Sequence, residues 1–331
     1  MSTDTNKITI PRPGVEVSSP VDSIPGPSEE AFTTTFGELL PAAQYLSTAY
    51  GKIAYYTYAP KATSTSATSP SASGQKVLFL HGVQTPALGL QPLATSLHAQ
   101  FPSAEFVLVD LWGHGLSSTP LAPHTPSLFH YQISTLLSHL AWESCHLIGY
   151  SFGGITAISY LSSAASSKPT KITSISLVAP AGLWKSPHLD EEKLYNSNFN
   201  ISTTHVLELL EGGPLVVPSD WQDRVRRGEI VAEKVREWQM QQHTGHTASV
   251  VAIVRDGGVF GQEEAFQEAA KMKVPILAVL GETDDVVFEK DLRAVGVENV
   301  VVVQGVGHAV VRQKVSEVAG QIGKFWKGLQ E

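Results

Sequence analysis

The sequence contains a single cysteine, Cys145, among its 331 residues. One thiol cannot form an internal disulfide, so the fold does not depend on a disulfide framework, and we expect a cytoplasmic location. Long hydrophobic runs are also missing, since no stretch approaches the ~18 consecutive apolar residues that a membrane-spanning helix needs. The first residues have no apolar core of the secretory type. We therefore expect neither a signal peptide nor an association with membranes.

Basic residues are few and scattered. Lysine and arginine number 23 against 31 acidic residues, which gives a formal net charge of −8. A nucleic-acid-binding surface normally shows a basic cluster, so nucleic acid is not an expected partner. No G-x-G-x-x-G motif follows the first buried strand, so a dinucleotide is not indicated. The sequence predicts a protein that acts on a small molecule and requires neither a cofactor nor a metal.

Short apolar runs recur along the chain and are typical of strands buried on both faces. Helix-compatible stretches lie between them, which predicts an α/β fold with a mostly parallel central sheet and right-handed crossovers. Two extended runs before them, at 44–48 and 52–58, predict a hairpin. The apolar runs are 77–80, 106–110, 146–150, 175–179, 276–280 and 300–303.

Two parts of the chain do not follow this alternation of strands and helices. Residues 1–30 are rich in proline, serine and acidic residues, and they predict a mobile arm that can drape over the core. Residues 183–273 place about ninety residues between two core strands, far more than an ordinary connection contains. We interpret this interval as an inserted helical cap over the carboxyl ends of the strands, where α/β folds bind ligands. The core is then 31–182 and 274–331.

One motif carries the chemistry. The segment Gly149-Tyr150-Ser151-Phe152-Gly153 fits G-x-S-x-G, with an apolar strand before the serine and a helix-compatible stretch after it. A sharp turn from strand to helix leaves no room for side chains at the two glycines. The same turn raises the Ser151 hydroxyl above the sheet at a helix N-terminus. This context predicts a nucleophilic serine rather than an ordinary helix cap.

From about Tyr45 to Trp326 the chain resembles the α/β-hydrolase superfamily. The pair His81-Gly82 follows the strand at 77–80, where the family places a His-Gly pair. The resemblance implies an oxyanion hole formed by the backbone N–H groups of Val83 and Phe152, because rigid amide dipoles can stabilise a developing oxyanion. We expect the His81 side chain itself to be structural.

The segment from Asp110 to Ser117 resembles the D-x-R-G-H-G-x-S loop of the family. The sequence departs from the pattern at Trp112, which stands where arginine is usual. The loop is mostly structural in the family, so the change does not affect the expected catalysis. We expect Trp112 to shape the pocket wall or the contact with the cap.

A serine nucleophile requires a base that is oriented by an acid. The resemblance implies the order Ser, acid, His, and His308 lies in the glycine-rich loop after the last predicted strand. The family pattern G-x-x-D-x-x-V, starting at Gly281, selects Asp284 as the acid. A slip of one residue would exchange the roles of Asp284 and Asp285, so both remain candidates.

Other candidate residues lie in the predicted cap. His243 and His246 have the H-x-x-H spacing of metal ligands, but no further ligand pattern completes a site, and a polar turn is the preferred interpretation. Trp184 and Trp238 are candidates for substrate binding. They could equally form the apolar interior of the cap.

The predicted activity is hydrolysis of an ester or lactone of a small to medium apolar substrate through an acyl-enzyme intermediate. The fold hosts many reactions, so a C–C bond hydrolase of the meta-cleavage type and a thioesterase remain alternatives. A further alternative, from a different class, is a ligand receptor that keeps the triad but has little turnover. Epoxide hydrolases and dehalogenases of this superfamily have aspartate where this chain has Ser151.

Overall fold

The computed structural model describes residues 8–61, 74–163 and 170–329, so residues 1–7 of the predicted arm and the last two residues of the chain lie outside the described part. The strands are β1 Ser23–Ile24, β2 Gln44–Thr48, β3 Gly51–Tyr58, β4 Lys76–Leu80, β5 Glu105–Val109, β6 Thr119–Pro120, β7 Ser144–Tyr150, β8 Lys171–Val178, β9 Ile276–Gly281 and β10 Asn299–Val303. Each apolar run of the sequence corresponds to one of these strands.

The helices alternate with the strands in the two parts of the core and follow one another without strands between β8 and β9. No helix in the described ranges combines the length and the apolar character needed to cross a bilayer. They are α1 Glu29–Phe36, α2 Gln91–Gln100, α3 Pro126–His139, α4 Phe152–Ser162, α5 Glu191–Leu194, α6 Phe199–Glu211, α7 Trp221–Arg226, α8 Ala232–Gln242, α9 His246–Asp256, α10 Glu263–Lys271, α11 Glu289–Ala294, α12 Val310–Gln313 and α13 Val315–Gly328.

The central sheet has eight strands in the order β10-β9-β8-β7-β4-β5-β3-β2. Neighbours from β10 to β5 run parallel. The predicted hairpin of β2 and β3 continues the sheet in antiparallel orientation. All parallel strands end at the same edge, so the residues that follow β4, β7, β9 and β10 meet there.

Both faces of the sheet are covered, because alternate residues of each strand point to opposite sides. In β4, Leu78 and Leu80 pack into one apolar cluster, with residues of α3, α4 and α10. Val77 and Phe79 pack into the other, with residues of α2 and α13. The mostly parallel sheet flanked by helices is the predicted fold class.

Residues 183–258, which include helices α5–α9, contact the loops at the carboxyl edge of the sheet through Gln239, His243 and His246, and we call this part of the chain the cap. Part of it has its own apolar cluster, which includes Leu194, Val206 and Val250. The sequence interpretation extended the cap to residue 273, a range that includes α10. Its Phe266 is fully buried in the cluster that contains α3 and α4.

Residues 8–30, which we call the N-terminal segment, lie against the rest of the protein. Ile10 is buried between Ala248 and Ala252 of α9. Arg12 forms an ion pair with Asp256, with 3.7 Å between Nε and Oδ1. Farther along, β1 pairs with β6. The segment thus contacts the rest of the protein through residues 10–12 and through β1, while residues 13–20 between them are exposed.

Candidate active site

Ser151 lies in the tight turn between β7 and α4. Its backbone has φ 51° and ψ −116°, a left-handed conformation that is rare for a residue with a side chain. A Cβ at Gly149 would lie 2.3 Å from the carbonyl oxygen of Gly153, and a Cβ at Gly153 would lie 2.0 Å from that of Leu80. The two glycines of the motif are therefore required by close backbone packing, as the sequence predicted.

Three polar side chains from different loops meet above the sheet edge. His308 Nε2 lies 3.0 Å from Ser151 Oγ. On the other side of the ring, His308 Nδ1 lies 3.1 Å from Asp284 Oδ2 and 3.2 Å from Oδ1. The Asp284 side chain is 1% exposed and that of His308 is 25% exposed, so the acid is shielded from water while the imidazole faces the open side. The order hydroxyl, imidazole, carboxylate is that of a serine triad.

The Asp284 carboxylate is held by the backbone of its own turn. Its Oδ1 accepts hydrogen bonds from the N–H groups of Val286, at 2.8 Å, and Val287, at 3.2 Å. The adjacent Asp285 is exposed, and the hydrogen bonds of His308 Nδ1 go to Asp284. Of the two aspartates that the sequence left as alternatives, the structure brings Asp284 to His308.

Two backbone N–H groups beside Ser151 remain without an acceptor in the described part of the chain. They belong to Val83, after β4, and to Phe152, at the first position of α4, and both residues line the same cavity as Ser151. Gly82 explains how closely the loop approaches, because a Cβ there would lie 3.0 Å from the Cβ of Ser151. The arrangement can donate hydrogen bonds to an oxygen held near the serine.

His81 has a structural position. Its Nε2 accepts the N–H of Leu111 at 2.8 Å, and its Nδ1 lies 2.7 Å from the carbonyl of Gly82. Burial lowers the pKa of His81 to about 4, so the ring is neutral at physiological pH. A neutral ring with one donor and one acceptor matches both contacts, as expected for a side chain that fixes the loop.

The loop from Asp110 to Ser117 is organised by a buried carboxylate. Asp110 accepts hydrogen bonds from the Tyr56 hydroxyl, at 2.8 Å, and from the N–H groups of Ala87 and Leu116, both at 2.9 Å. Burial raises the pKa of Asp110 to about 6, although these hydrogen bonds act in the opposite direction. The loop is thereby fixed beneath the cap.

A cavity of about 200 Å³ opens at Ser151 and His308. Its apolar walls come from the core and from the cap, with Trp184 as the largest cap side chain. Trp184 stacks on Phe260, with ring centroids 5.3 Å apart. The other apolar lining residues are Val83, Phe152, Ala181, Leu209, Leu210, Val259, Val286 and Ala309.

Trp112 and Trp238 do not line this cavity, which corrects the expectation that they contact substrate. The other expectation for Trp112, a contact with the cap, is met by its carbonyl, which accepts the Ser249 hydroxyl of α9 at 3.2 Å. Trp112 is fully buried in the core cluster of α3 and α4. Trp238 packs edge-on against Phe32 and Phe36 of α1, with centroids 5.6 and 5.7 Å apart. Both tryptophans are held where apolar burial is greatest, away from the open space above Ser151.

Comparison with known proteins decides the family. The model of the Alpha/beta hydrolase family matches residues 77–321, which is most of the chain. This chain belongs to the α/β-hydrolase family. The resemblance noted from the motifs is thereby confirmed, and hydrolase family membership supports an enzyme.

The chain is similar in sequence to a serine hydrolase-like protein and similar in fold to solved structures of a lactonase and a carboxylesterase. The Homo sapiens Serine hydrolase-like protein is 34% identical over 87 residues, which are 26% of this chain and only 41% of that protein. The enol-lactonase from Burkholderia xenovorans LB400 has a TM-score of 0.62 at 15% identity, with 86% of this chain and all of that chain covered. Carboxylesterase CesB from Bacillus subtilis has a TM-score of 0.63 at 16% identity, with 90% and 96% covered. The two structures show the common fold.

The cap of this α/β hydrolase is docked on the Asp110 loop by buried polar groups. His243 Nδ1 lies 3.1 Å from the carbonyl of Gly115, and His246 Nδ1 lies 2.9 Å from that of Gly113. Both rings thus contact backbone oxygens. Within the described ranges no cluster of three or more metal-ligating side chains occurs. The H-x-x-H pair is the polar turn that the sequence favoured.

Three polar residues near the site of this hydrolase were missed by the sequence interpretation. Gln239 contacts the loop after β4, and Arg236 and Arg312 line the cavity. Arg236 and Gln239 lie in α8 among other polar residues, and Arg312 lies in the short helix α12, and no motif marks any of the three. Only the three-dimensional contacts distinguish them from the many solvated polar residues of the chain.

Proposed function

We propose that this α/β hydrolase cleaves a carboxylic ester or lactone of a small to medium apolar substrate through an acyl-enzyme intermediate. The observation that carries the proposal is the continuous contact from Ser151 Oγ through the His308 ring to Asp284. Ser151 attacks the carbonyl carbon while His308 Nε2 takes the hydroxyl proton. Asp284 keeps the proton of His308 on Nδ1 and stabilises the imidazolium.

The remaining steps use the same groups. The oxygen of the tetrahedral intermediate accepts hydrogen bonds from the N–H groups of Val83 and Phe152. When the intermediate collapses, the bond to the leaving oxygen breaks and His308 returns the proton to it. Water, deprotonated by His308, then attacks the acyl carbon and releases the acid from Ser151. No step requires a cofactor.

The cavity supports a small substrate. Its volume of about 200 Å³ is below the ~300–1,000 Å³ of typical ligand pockets. Trp184, Leu209 and Leu210 supply apolar contacts from the cap side. The similar proteins named carboxylesterase and enol-lactonase act on bonds of the proposed kind, which favours ester and lactone among the substrates that the fold accepts.

Active-site labelling tests the proposal. We expect a fluorophosphonate probe to modify Ser151 alone, as located by peptide mass spectrometry, and 4-nitrophenyl esters of short acids to be hydrolysed. Ser151→Ala should abolish both labelling and turnover. Ser163→Ala, just beyond the other end of α4, is the matched control and should retain both. Modification of a different serine, or full activity of Ser151→Ala, would refute the mechanism.

A further inference from the structure

The charged side chains that line the cavity are not all paired with an opposite charge. Besides His308, its lining contains Arg236, Arg312 and Asp285. Arg236 is neutralised by Glu211, whose Oε2 lies 2.6 Å from Arg236 Nη1 and whose side chain is 10% exposed. Asp285 is exposed to solvent. Arg312, in contrast, has no carboxylate within ion-pair distance anywhere in the described part of the chain.

Arg312 lies next to the nucleophile. It is in α12, which begins directly after the His308 loop, and its guanidinium carbon lies 5.7 Å from the centre of the Tyr150 ring. Tyr150 immediately precedes Ser151, and its hydroxyl donates to the carbonyl of His308 at 3.3 Å. The guanidinium therefore lies on the side of the cavity that carries Ser151 and His308.

One nitrogen of this guanidinium lacks an acceptor. Arg312 Nη1 is buried and has no hydrogen-bond partner. A guanidinium keeps its charge at all physiological pH values, and a buried donor without an acceptor is unfavourable. The protein therefore does not compensate the charge of this side chain, and an anionic group of a ligand in the cavity that Arg312 lines would balance it. Arginine and a carboxylate match in geometry, because two parallel hydrogen bonds can form between them.

We propose that the substrate carries a carboxylate that Arg312 binds, with its scissile ester or lactone carbonyl at Ser151. This inference rests on the proposed function and adds the substrate class. The apolar walls at Trp184 and Leu210 contact the carbon chain between the two groups. The negative charge of Asp285 disfavours a second anionic group at its side of the cavity, so the substrate has one carboxylate.

Two matched esters test the inference. 4-Nitrophenyl hexanoate and mono-4-nitrophenyl adipate have acyl chains of equal length that end in a methyl group and in a carboxylate. We expect the wild type to hydrolyse the adipate ester with the higher kcat/KM. Arg312→Gln should lower the ratio of the two kcat/KM values by ~10- to 100-fold, the range expected for a lost charge-assisted hydrogen bond. Arg312→Lys should retain part of the preference.

Arg293→Gln is the control, because Arg293 is an exposed helix residue that is paired with Glu289 and does not line the cavity. This variant should leave both kcat/KM values and their ratio unchanged. A wild-type preference for the hexanoate ester, or an unchanged ratio in Arg312→Gln, would overturn the inference while the proposed hydrolase function stands.

A binding measurement separates the two proposals if neither ester is hydrolysed. Calorimetric titration of monomethyl adipate into Ser151→Ala and into the double variant Ser151→Ala, Arg312→Gln requires no turnover. Weaker binding to the double variant, by tenfold or more, supports the carboxylate site even if the hydrolytic proposal fails. Equal affinities, or no binding to either variant, would overturn the carboxylate site.

Discussion

Gln239 of the cap donates a hydrogen bond from its side-chain Nε2 to the carbonyl of Gln84 at 2.7 Å. Gln84 directly follows Val83, whose N–H group is one of the two proposed oxyanion donors. The N–H of Gln84 in turn donates to His114 Nε2 at 3.1 Å. The other end of the Gln239 amide accepts the N–H of Gly115 at 2.8 Å. These contacts connect the cap to the loop after β4, which carries the proposed oxyanion donor of Val83.

Replacing this donor should weaken catalysis. Gln239→Glu retains an acceptor for Gly115 but places a carboxylate oxygen against the carbonyl of Gln84. We expect kcat to fall by ~10-fold or more, because the loss of an aligned oxyanion donor lowers rates by ~10²–10³. Gln242→Glu, on the exposed side of the same helix, should keep its kcat. Steady-state kinetics on 4-nitrophenyl butyrate measure both, and equal kcat values would show that the contact is unimportant for the reaction.

Replacing Asp284 should lower kcat far more than replacing the adjacent Asp285. Asp284→Asn loses the carboxylate that holds the His308 ring, and an asparagine there can stabilise the wrong tautomer. We expect kcat to fall by up to ~10⁴, the effect the corresponding change has in a serine protease. Asp285→Asn alters an exposed residue and should keep most of its turnover on neutral esters. The opposite ranking would move the acid to Asp285, and two active variants would place it elsewhere in the chain.

Replacements of Trp184 and of Trp238 in the cap should have different effects. Trp184 faces the cavity, so Trp184→Ala should change the relative kcat/KM values along a series of esters of increasing acyl length. Trp238 is buried against Phe32 and Phe36, so Trp238→Ala should lower the free energy of unfolding by ~3–5 kcal/mol. Its ranking of the esters should stay that of the wild type. A thermal melt and the ester series test both, and a stable Trp238→Ala with altered ranking would contradict the assignment.

Stability should depend on pH because several histidines are buried in their neutral form. Burial lowers the pKa of His81 and His243 to about 4 and that of His246 to about 3. In the unfolded chain the histidine pKa is ~6.5, so between pH ~4 and ~6.5 the unfolded state binds more protons than the folded state. The free energy of unfolding therefore rises with pH in this interval, by up to ~1.4 kcal/mol per pH unit for each histidine.

Asp110 opposes this trend, since burial raises its pKa to about 6 and the folded state then binds the extra proton between pH ~4 and ~6. One carboxylate does not cancel three histidines. Denaturant titrations at intervals from pH 4.5 to 7 should show a loss of stability toward acid, and His243→Gln should reduce the slope by about one proton. Stability that is flat or increases toward pH 4.5 would contradict the buried neutral histidines.

The sequence predicts those features that depend on residues close together along the chain. Ser151 was found because the strand, the two glycines and the following helix are contiguous, and the strands were found because parallel strands are short apolar runs. The sequence leaves a pocket position and a structural position open for Trp112 and Trp238, because an aromatic side chain has the same sequence signal in a core as in a pocket. The sequence also does not single out Arg312. Its proposed role depends on the lack of a neighbouring carboxylate, and only the fold determines which residues are neighbours.

The N-terminal segment has a consequence for how the chain reaches this structure. Arg255 Nη2 donates to the carbonyl of Ile10 at 3.4 Å, between residues 245 positions apart. On the ribosome Ile10 is synthesised well before α9, the helix that it contacts. The contact also closes one of the longest loops in the chain, which makes it entropically expensive to form early. The segment at the beginning of the chain thus attaches to the cap only after the cap has been synthesised.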